Sequence, residues 1–92
     1  MNKTAIIYDV AQKMDLPFSK AERIVNAFLE EVSRGLANGE RVTITGFGTF
    51  EVRKRKARLG RVPRTGQRVQ VPEHLTPAFM AGLALKRTVE GK

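Results

Sequence analysis

A chain of 92 residues with a formal net charge of +8, no cysteine and a single histidine has room for one domain at most and for no disulfide framework or Cys-based zinc site. No run approaches the roughly eighteen apolar residues of a membrane span, and the N-terminal MNKTAIIYDV has neither an apolar signal core nor a cleavage site, so the expectation is a protein with no membrane partner in a reducing cytoplasm. A body this small often completes its apolar burial by oligomerising.

Two helices come first. Asn2 is the expected N-cap of one whose apolar stripe is Ile6, Ile7, Val10, Ala11 and Met14; Leu16 and Pro17 end it. Ser19-Lys20-Ala21-Glu22 has the S-x-x-E form of a capping box and predicts a second helix of about 18 residues, roughly 27 Å long. Its stripe is Ile24, Val25, Phe28, Leu29, Val32 and Leu36, and Asn38-Gly39 stops it. Both stripes read as core, and the short link between them suggests an αα-hairpin.

The pattern then changes period. Arg41 to Thr45 alternates as a strand, Gly46-Phe47-Gly48 permits a tight turn or a bulge, and Thr49 to Val52 resumes the alternation. The stretch Arg53 to Arg68 holds eight basic residues and no acidic one, which leaves nine basic and nine acidic residues in the rest of the chain. All of the net charge therefore lies in one segment, and charge so placed is aimed at a polyanion. From Arg53 to Arg58 both faces of an extended chain are basic, so no core can lie against either. Pro63 and Gly66 bracket a turn, Gln67 to Val71 returns as a second strand, and Pro72 ends the pairing. The whole reads as a basic β-ribbon arm. After it, Thr76 as cap and Pro77 at the first helical position predict a last helix with the stripe Phe79, Met80, Leu83 and Ala84. Gly82 inside it would mark a close packing contact, Lys86 and Arg87 suit its C-terminal end, and Gly91 stops it.

Catalysis finds little support. His74 is a loop histidine between Pro72 and Pro77, Ser19 is used as a cap, Ser33 lies on a polar helix face, and the nine acids are scattered. No nucleophile, zincin or phosphate-cradling motif is present, so neither a cofactor, a metal nor a small-molecule substrate is expected. The arm carries the signal. An extended backbone with eight cations can track rows of phosphates, and each neutralised phosphate releases counterions, so affinity should fall steeply with salt. Arginine outnumbers lysine six to two there, which favours bidentate phosphate contacts and narrow minor grooves. The arm has no aromatic residue, unlike interfacial lipid anchors and single-stranded RNA platforms. On spacing alone, Pro63 reads as a turn proline more readily than as an apolar wedge.

Gly46-Phe47-Gly48-Thr49-Phe50, followed by Arg53, Arg55, Arg58, Gly60, Arg61, Pro63 and Thr65-Gly66, resembles the bacterial HU / integration host factor family of DNA-bending proteins. The resemblance covers essentially all 92 residues, including Met1-Asn2-Lys3-Thr4, Asn26-Ala27-Phe28 and Pro77-Ala78-Phe79 with Gly82 and Lys86. It implies an α+β fold: an intertwined dimer with a helical base, a small antiparallel sheet and two protruding basic β-ribbon arms. Residues 1–92 would be a single domain, with 1–52 and 72–92 as the dimerising body and 53–71 as the DNA-gripping arm. Phe28, Phe47, Phe50 and Phe79 would share the dimer core. Arg53, Arg55, Arg58, Arg61 and Arg64 would contact DNA along the arm, with Lys3 and Lys86 holding flanking DNA. Pro63 would be the intercalating wedge, a device for which this family is a known example.

The function so implied is that of a non-enzymatic architectural protein of the nucleoid. It would bind double-stranded DNA through the minor groove with little sequence specificity, and bend and compact it, as a homodimer or as a heterodimer with a paralogue. A sequence-preferring factor resembling integration host factor and a basic RNA-binding protein are the alternatives. One departure stands out. Val62 occupies the position before the wedge proline, where the family usually has Asn and sometimes Lys. Leu83 likewise replaces a lysine of many relatives.

Overall fold

Three helices and five strands follow in the order α1 (Lys3–Met14), α2 (Phe18–Ala37), β1 (Val42–Ile44), β2 (Gly48–Arg55), β3 (Arg58–Arg61), β4 (Arg68–Val71), β5 (His74–Ala81) and α3 (Leu83–Glu90). They are seen in a computed structural model that describes residues 1–91. The chain divides into two compact units, Met1–Gly35 and a second from Leu36 onward.

The first unit is a helical hairpin. The Asn2 side-chain oxygen accepts from the Ala5 N–H at 2.9 Å, which satisfies one of the donors left over at the start of α1. Asp15 closes the other end in the left-handed conformation at φ 54°, its N–H reaching the carbonyls of Ala11 and Gln12. Ile7, Ala11 and Ala21 are buried at the centre, with Val10, Phe18 and Val25 packed around them. The rings of Tyr8 and Phe18 meet with centroids 4.6 Å apart. That contact corrects the expected start of α2. The helix begins at Phe18, and the Pro17 carbonyl accepts from the N–H groups of Lys20 and Ala21, both at 3.1 Å, so Ser19 lies inside the first turn and not at the cap. An earlier start brings Phe18 onto α1, and this packing outweighs the side-chain cap that Ser19 could have supplied. Gly39, at φ 78°, ends the helix with its N–H on the Leu36 carbonyl at 3.0 Å.

In the second unit, β1, β2 and β5 form an antiparallel sheet in the order β1-β2-β5, while β3 and β4 form a separate two-stranded ribbon. Gly46 turns the chain between β1 and β2 at φ 85°, and the Phe47 N–H closes the turn on the Ile44 carbonyl at 2.9 Å.

The expected helix from Thr76 is not formed. His74–Ala81 is instead β5, paired with all of β2 from Gly48↔Ala81 to Arg55↔His74. The stripe Phe79, Met80, Leu83 and Ala84 fits a helix locally, but Leu75, Pro77, Phe79 and Ala81 also alternate, and the eight-residue ladder offers that reading partners across the sheet. Pro77 is tolerated because β5 is an edge strand, where a missing N–H need break no ladder bond. The helix starts after Gly82, whose carbonyl accepts the Lys86 N–H at 3.0 Å, and ends at Gly91 with φ 77°. Gly82 does mark a close approach: its N–H donates to the Phe47 carbonyl at 2.8 Å, and an added Cβ would lie 3.2 Å from that same oxygen.

The arm also differs from its expected extent. Arg53 to Arg55 belong to β2, where they pair with Thr76 to His74. Only Arg58–Arg61 and Arg68–Val71 make the ribbon, after an interruption at Lys56-Ala57 on the outgoing chain and Pro72-Glu73 on the return. Pro72, lacking an N–H, accounts for the break.

Candidate nucleic-acid interface

Strand alternation sorts the sheet into two faces. From the register, Val42, Ile44, Phe50 and Val52 share one face with Leu75, Pro77 and Phe79. The Phe79 ring lies 4.7 Å from that of Phe50 and 5.4 Å from that of Phe47. Gly48 is required here, since a Cβ would lie 2.5 Å from the Met80 carbonyl oxygen and 2.6 Å from Phe79 Cζ. This apolar face is not closed: Phe79 is 42 % exposed and Phe47 43 % exposed. On α2, Ile24, Phe28 and Leu29 are likewise exposed, Phe28 to 52 %. Among the described residues the only buried hydrophobic ones are Ile7, Ala11 and Ala21. So large an uncovered apolar surface on so small a chain marks an interface.

The opposite face carries Thr49, Glu51, Arg53 and Arg55 of β2, with Thr43 of β1 and His74, Thr76, Ala78 and Met80 of β5, and is polar and basic toward its Arg55–His74 end. The Thr43 and Thr49 hydroxyls lie 3.3 Å apart. Glu51, half-buried, faces two cations: one carboxylate oxygen is 3.6 Å from Arg53 Nη2 and the other 3.9 Å from Arg41 Nη2. Glu51 thus holds Arg41 and Arg53 side by side despite their like charge. Arg41 was not singled out from the sequence, although the RVTIT alternation opposite Thr49-Phe50-Glu51 was the signal that could have found it.

The ribbon carries cations on both of its faces. Arg58 pairs with Val71 and Gly60 with Val69 on one of its faces; Leu59 pairs with Gln70 and Arg61 with Arg68 on the other. Like charges directly opposite each other destabilise a strand pair, a cost that an anion bound between Arg61 and Arg68 would relieve. At the tip the Val62 N–H donates to the Gln67 carbonyl at 2.9 Å, and the Val62 carbonyl accepts from the Gly66 N–H at 2.8 Å with Gly66 at φ 69°. Pro63 and Arg64 stand exposed on this closed turn.

The chain's path therefore carries Arg53 and Arg55 on one face of the sheet, Arg58 and Arg61 on opposite faces of the ribbon, and Pro63 and Arg64 at its tip. Lys86 lies apart on α3. Lys3 lies in the helical hairpin, its Nζ donating to Asn26 Oδ1 at 3.1 Å. Phe47, Phe50 and Phe79 come together, while Phe28 belongs to the other unit. Lys56 and Arg68, counted in the charge but given no role from the sequence, fall on the same path. The Lys54 ammonium pairs with Glu73 at 3.2 Å where the sheet gives way to the ribbon. Among the described residues no three histidine, aspartate or glutamate side chains converge as metal ligands, and no helix is long and apolar enough to cross a membrane.

The sequence model of a family described as "Bacterial DNA-binding protein" matches residues 1–90. The chain is 48 % identical over 90 residues to the DNA-binding protein HU of Staphylococcus aureus, covering 98 % of this chain and all of that one. Among solved structures, the HU of Anabaena in a cocrystal with DNA is similar at a TM-score of 0.89 with 37 % identity over the full length of both chains. The HU of Thermotoga maritima is similar at a TM-score of 0.68 with 31 % identity, over 97 % of this chain and 98 % of that one.

Proposed function

This chain belongs to the HU family of bacterial DNA-binding proteins, and on that premise we propose that it binds duplex DNA through the minor groove with little sequence specificity, and bends and compacts it as an architectural protein of the nucleoid. It works as a dimer, in which a second copy covers the apolar faces of the sheet and of α2 left open in one chain. The observation that carries the reading is the ribbon itself: a two-stranded element with Arg61 facing Arg68, closed by a turn that presents Pro63 at its end.

Each part has a role in physical terms. Arg53 and Arg55 on the sheet, and Arg58, Arg61 and Arg64 on the ribbon, neutralise phosphates along the groove, and Arg41 joins them through Glu51. Pro63 enters a base step as a rigid apolar wedge, and the cost of unstacking is offset by the protein surface that bent DNA then covers. Lys3 and Lys86 hold DNA beyond the bend. The helices and the three-stranded sheet serve as the dimerising body, and the segment 53–71 grips DNA, its first three residues from the end of β2 and the rest from the link and the ribbon. The protein acts by deforming its partner and not by catalysis, with no cofactor, and works in the cytoplasm where the nucleoid lies.

The test is a comparison of random-sequence DNA duplex with RNA duplex of the same sequence. An A-form helix offers no comparable narrow minor groove to a wedge, so the DNA should bind much the tighter and its affinity should fall steeply with salt. Equal affinity for the two would reduce the arm to an unselective polycation and favour a basic RNA-binding protein.

A further inference from the structure

The proposed function leaves the one histidine of the chain without a part. His74 opens β5 directly opposite Arg55 of β2, and side chains so paired project from the same face of a sheet. With Arg55, Lys56, Arg58 and Thr76 it lines an open cleft of about 550 Å³ where the three-stranded sheet gives way to the ribbon. The ring is oriented by the chain: Nδ1 lies 3.0 Å from the Pro72 carbonyl oxygen. A carbonyl can only accept, so Nδ1 carries the hydrogen and Nε2 is the nitrogen that gains or loses a proton. The charged groups around the ring are mostly cationic. β2 contributes Arg55, with Arg53 two residues before it on the same face, the link contributes Lys56, and β3 contributes Arg58. Glu73, beside His74 in the chain, is engaged by Lys54 at 3.2 Å.

We propose that this cleft is a phosphate site in which His74 supplies a proton-dependent fourth cation, so that the protein takes up protons as it binds DNA. A phosphodiester oxygen held in the cleft by Arg55, Lys56 and Arg58 sets an anion beside the ring, and a proton from solvent settles on Nε2, which then donates to the phosphate while Nδ1 keeps its bond to Pro72. Imidazole is the ordinary side chain whose charge changes between pH 5 and 8, so the grip at the root of the arm tightens as pH falls through that range. This rests on the DNA-binding reading above and adds to it a site and a linkage.

The experiment is titration of the full-length protein and of His74→Gln with a blunt, unphosphorylated random-sequence duplex. Calorimetry near pH 6.5 in two buffers of different ionisation enthalpy reads the protons taken up. Binding at several salt concentrations, at pH 5.5 and pH 8, reads the salt slope. For the wild type the expected result is a net fractional uptake of protons, and a log–log salt slope steeper at pH 5.5 by about 0.9 per arm, the value for one further phosphate neutralised. Its affinity should be several-fold higher at the lower pH. His74→Gln, which keeps a donor for the Pro72 carbonyl but does not titrate in this range, should lose both the uptake and the change in slope. The single histidine ring signal in the NMR spectrum should shift toward its protonated position on adding duplex at constant pH. A duplex with 5′-phosphates separates the sources of the anion. Equal uptake with both duplexes assigns the cleft to the backbone, and a His74-dependent uptake with phosphorylated ends alone assigns it to a terminal phosphate. Proton uptake and slope change surviving undiminished in His74→Gln would overturn the proposal. Failure of both proteins to bind duplex at either pH would overturn the DNA-binding reading and the site with it.

Discussion

Gly46 and Gly48 flank Phe47 and are needed for different reasons. Gly46 has φ 85° with nothing within 4 Å of an added Cβ, so Gly46→Ala meets only the backbone cost of the left-handed region, about 1–2 kcal/mol. Gly48 has ordinary φ, but its Cβ would collide with the Met80 carbonyl and the Phe79 ring at 2.5 and 2.6 Å. Backbone cannot step aside as a flexible side chain can. Gly48→Ala should therefore destabilise by more than the roughly 1–3 kcal/mol of ordinary overpacking and by more than Gly46→Ala, as measured by denaturant unfolding; the opposite order would mean that the sheet adapts at Gly48. At the tip, all three hydrogen bonds of Val62 run through its backbone, so Val62→Asn leaves the turn intact and changes only the group beside Pro63. An amide there can reach base edges that a valine cannot, and the variant should bind duplex more tightly or with sharper sequence preference. Unchanged affinity and preference would show that the side chain at this position lies clear of the bases.

At the scale of elements, the ribbon concentrates its charge where pairing alone would avoid it. Arg61 and Arg68 should each account for about 0.9 of the log–log salt slope of duplex binding if each neutralises one phosphate. Arg61→Gln and Arg68→Gln should flatten the slope by that amount apiece, while weakening binding similarly for all sequences; a change in sequence preference instead would place them on base edges. The ion pair on α2 matters far less. Arg34 holds the Glu31 carboxyl below the usual carboxylate range, first by its hydrogen bond and then by its charge. Its contribution is present above the unfolded carboxylate's range and fades as pH falls through the lowered value. The pair is exposed and spaced i,i+3, so Glu31→Gln should barely move the acid unfolding midpoint.

The same scale shows what is legible in the sequence and what is not. The hairpin of α1 and α2 follows from helical stripes that one element can satisfy by itself, and the arm follows from eight cations without an acid and from the Pro63 and Gly66 turn. The stretch from Thr76 is misread because its residues fit two periods, and only the partner strand decides between them. Pro77, locally a helix starter, is also admissible on an edge strand. Arg41 and Glu51 lie ten residues apart, and their pairing depends on a register no local pattern prints. The root of the arm is misplaced for a related reason: basic residues on both faces argue for solvent, yet Arg53 to Arg55 find partners in β5.

For the whole molecule, a neutral body with an open apolar surface carries a charged element that pairs with nothing in the chain strongly enough to mask it. Dimerisation and DNA binding then answer separate halves of the sequence. Because folding and association are linked, the melting temperature should rise with protein concentration, and Phe79→Ala should depress it more at low concentration than at high; a melting temperature independent of concentration would imply that one chain suffices. The most direct test is end-to-end fluorescence transfer on a random-sequence duplex of moderate length, titrated with protein and with Pro63→Ala. The ends should approach as the wild type binds, while the variant binds through its arginines but brings them together less. Saturating binding with the ends still far apart would contradict the bending mechanism and leave the arm as an electrostatic grip, with Val62-Pro63 only its turn.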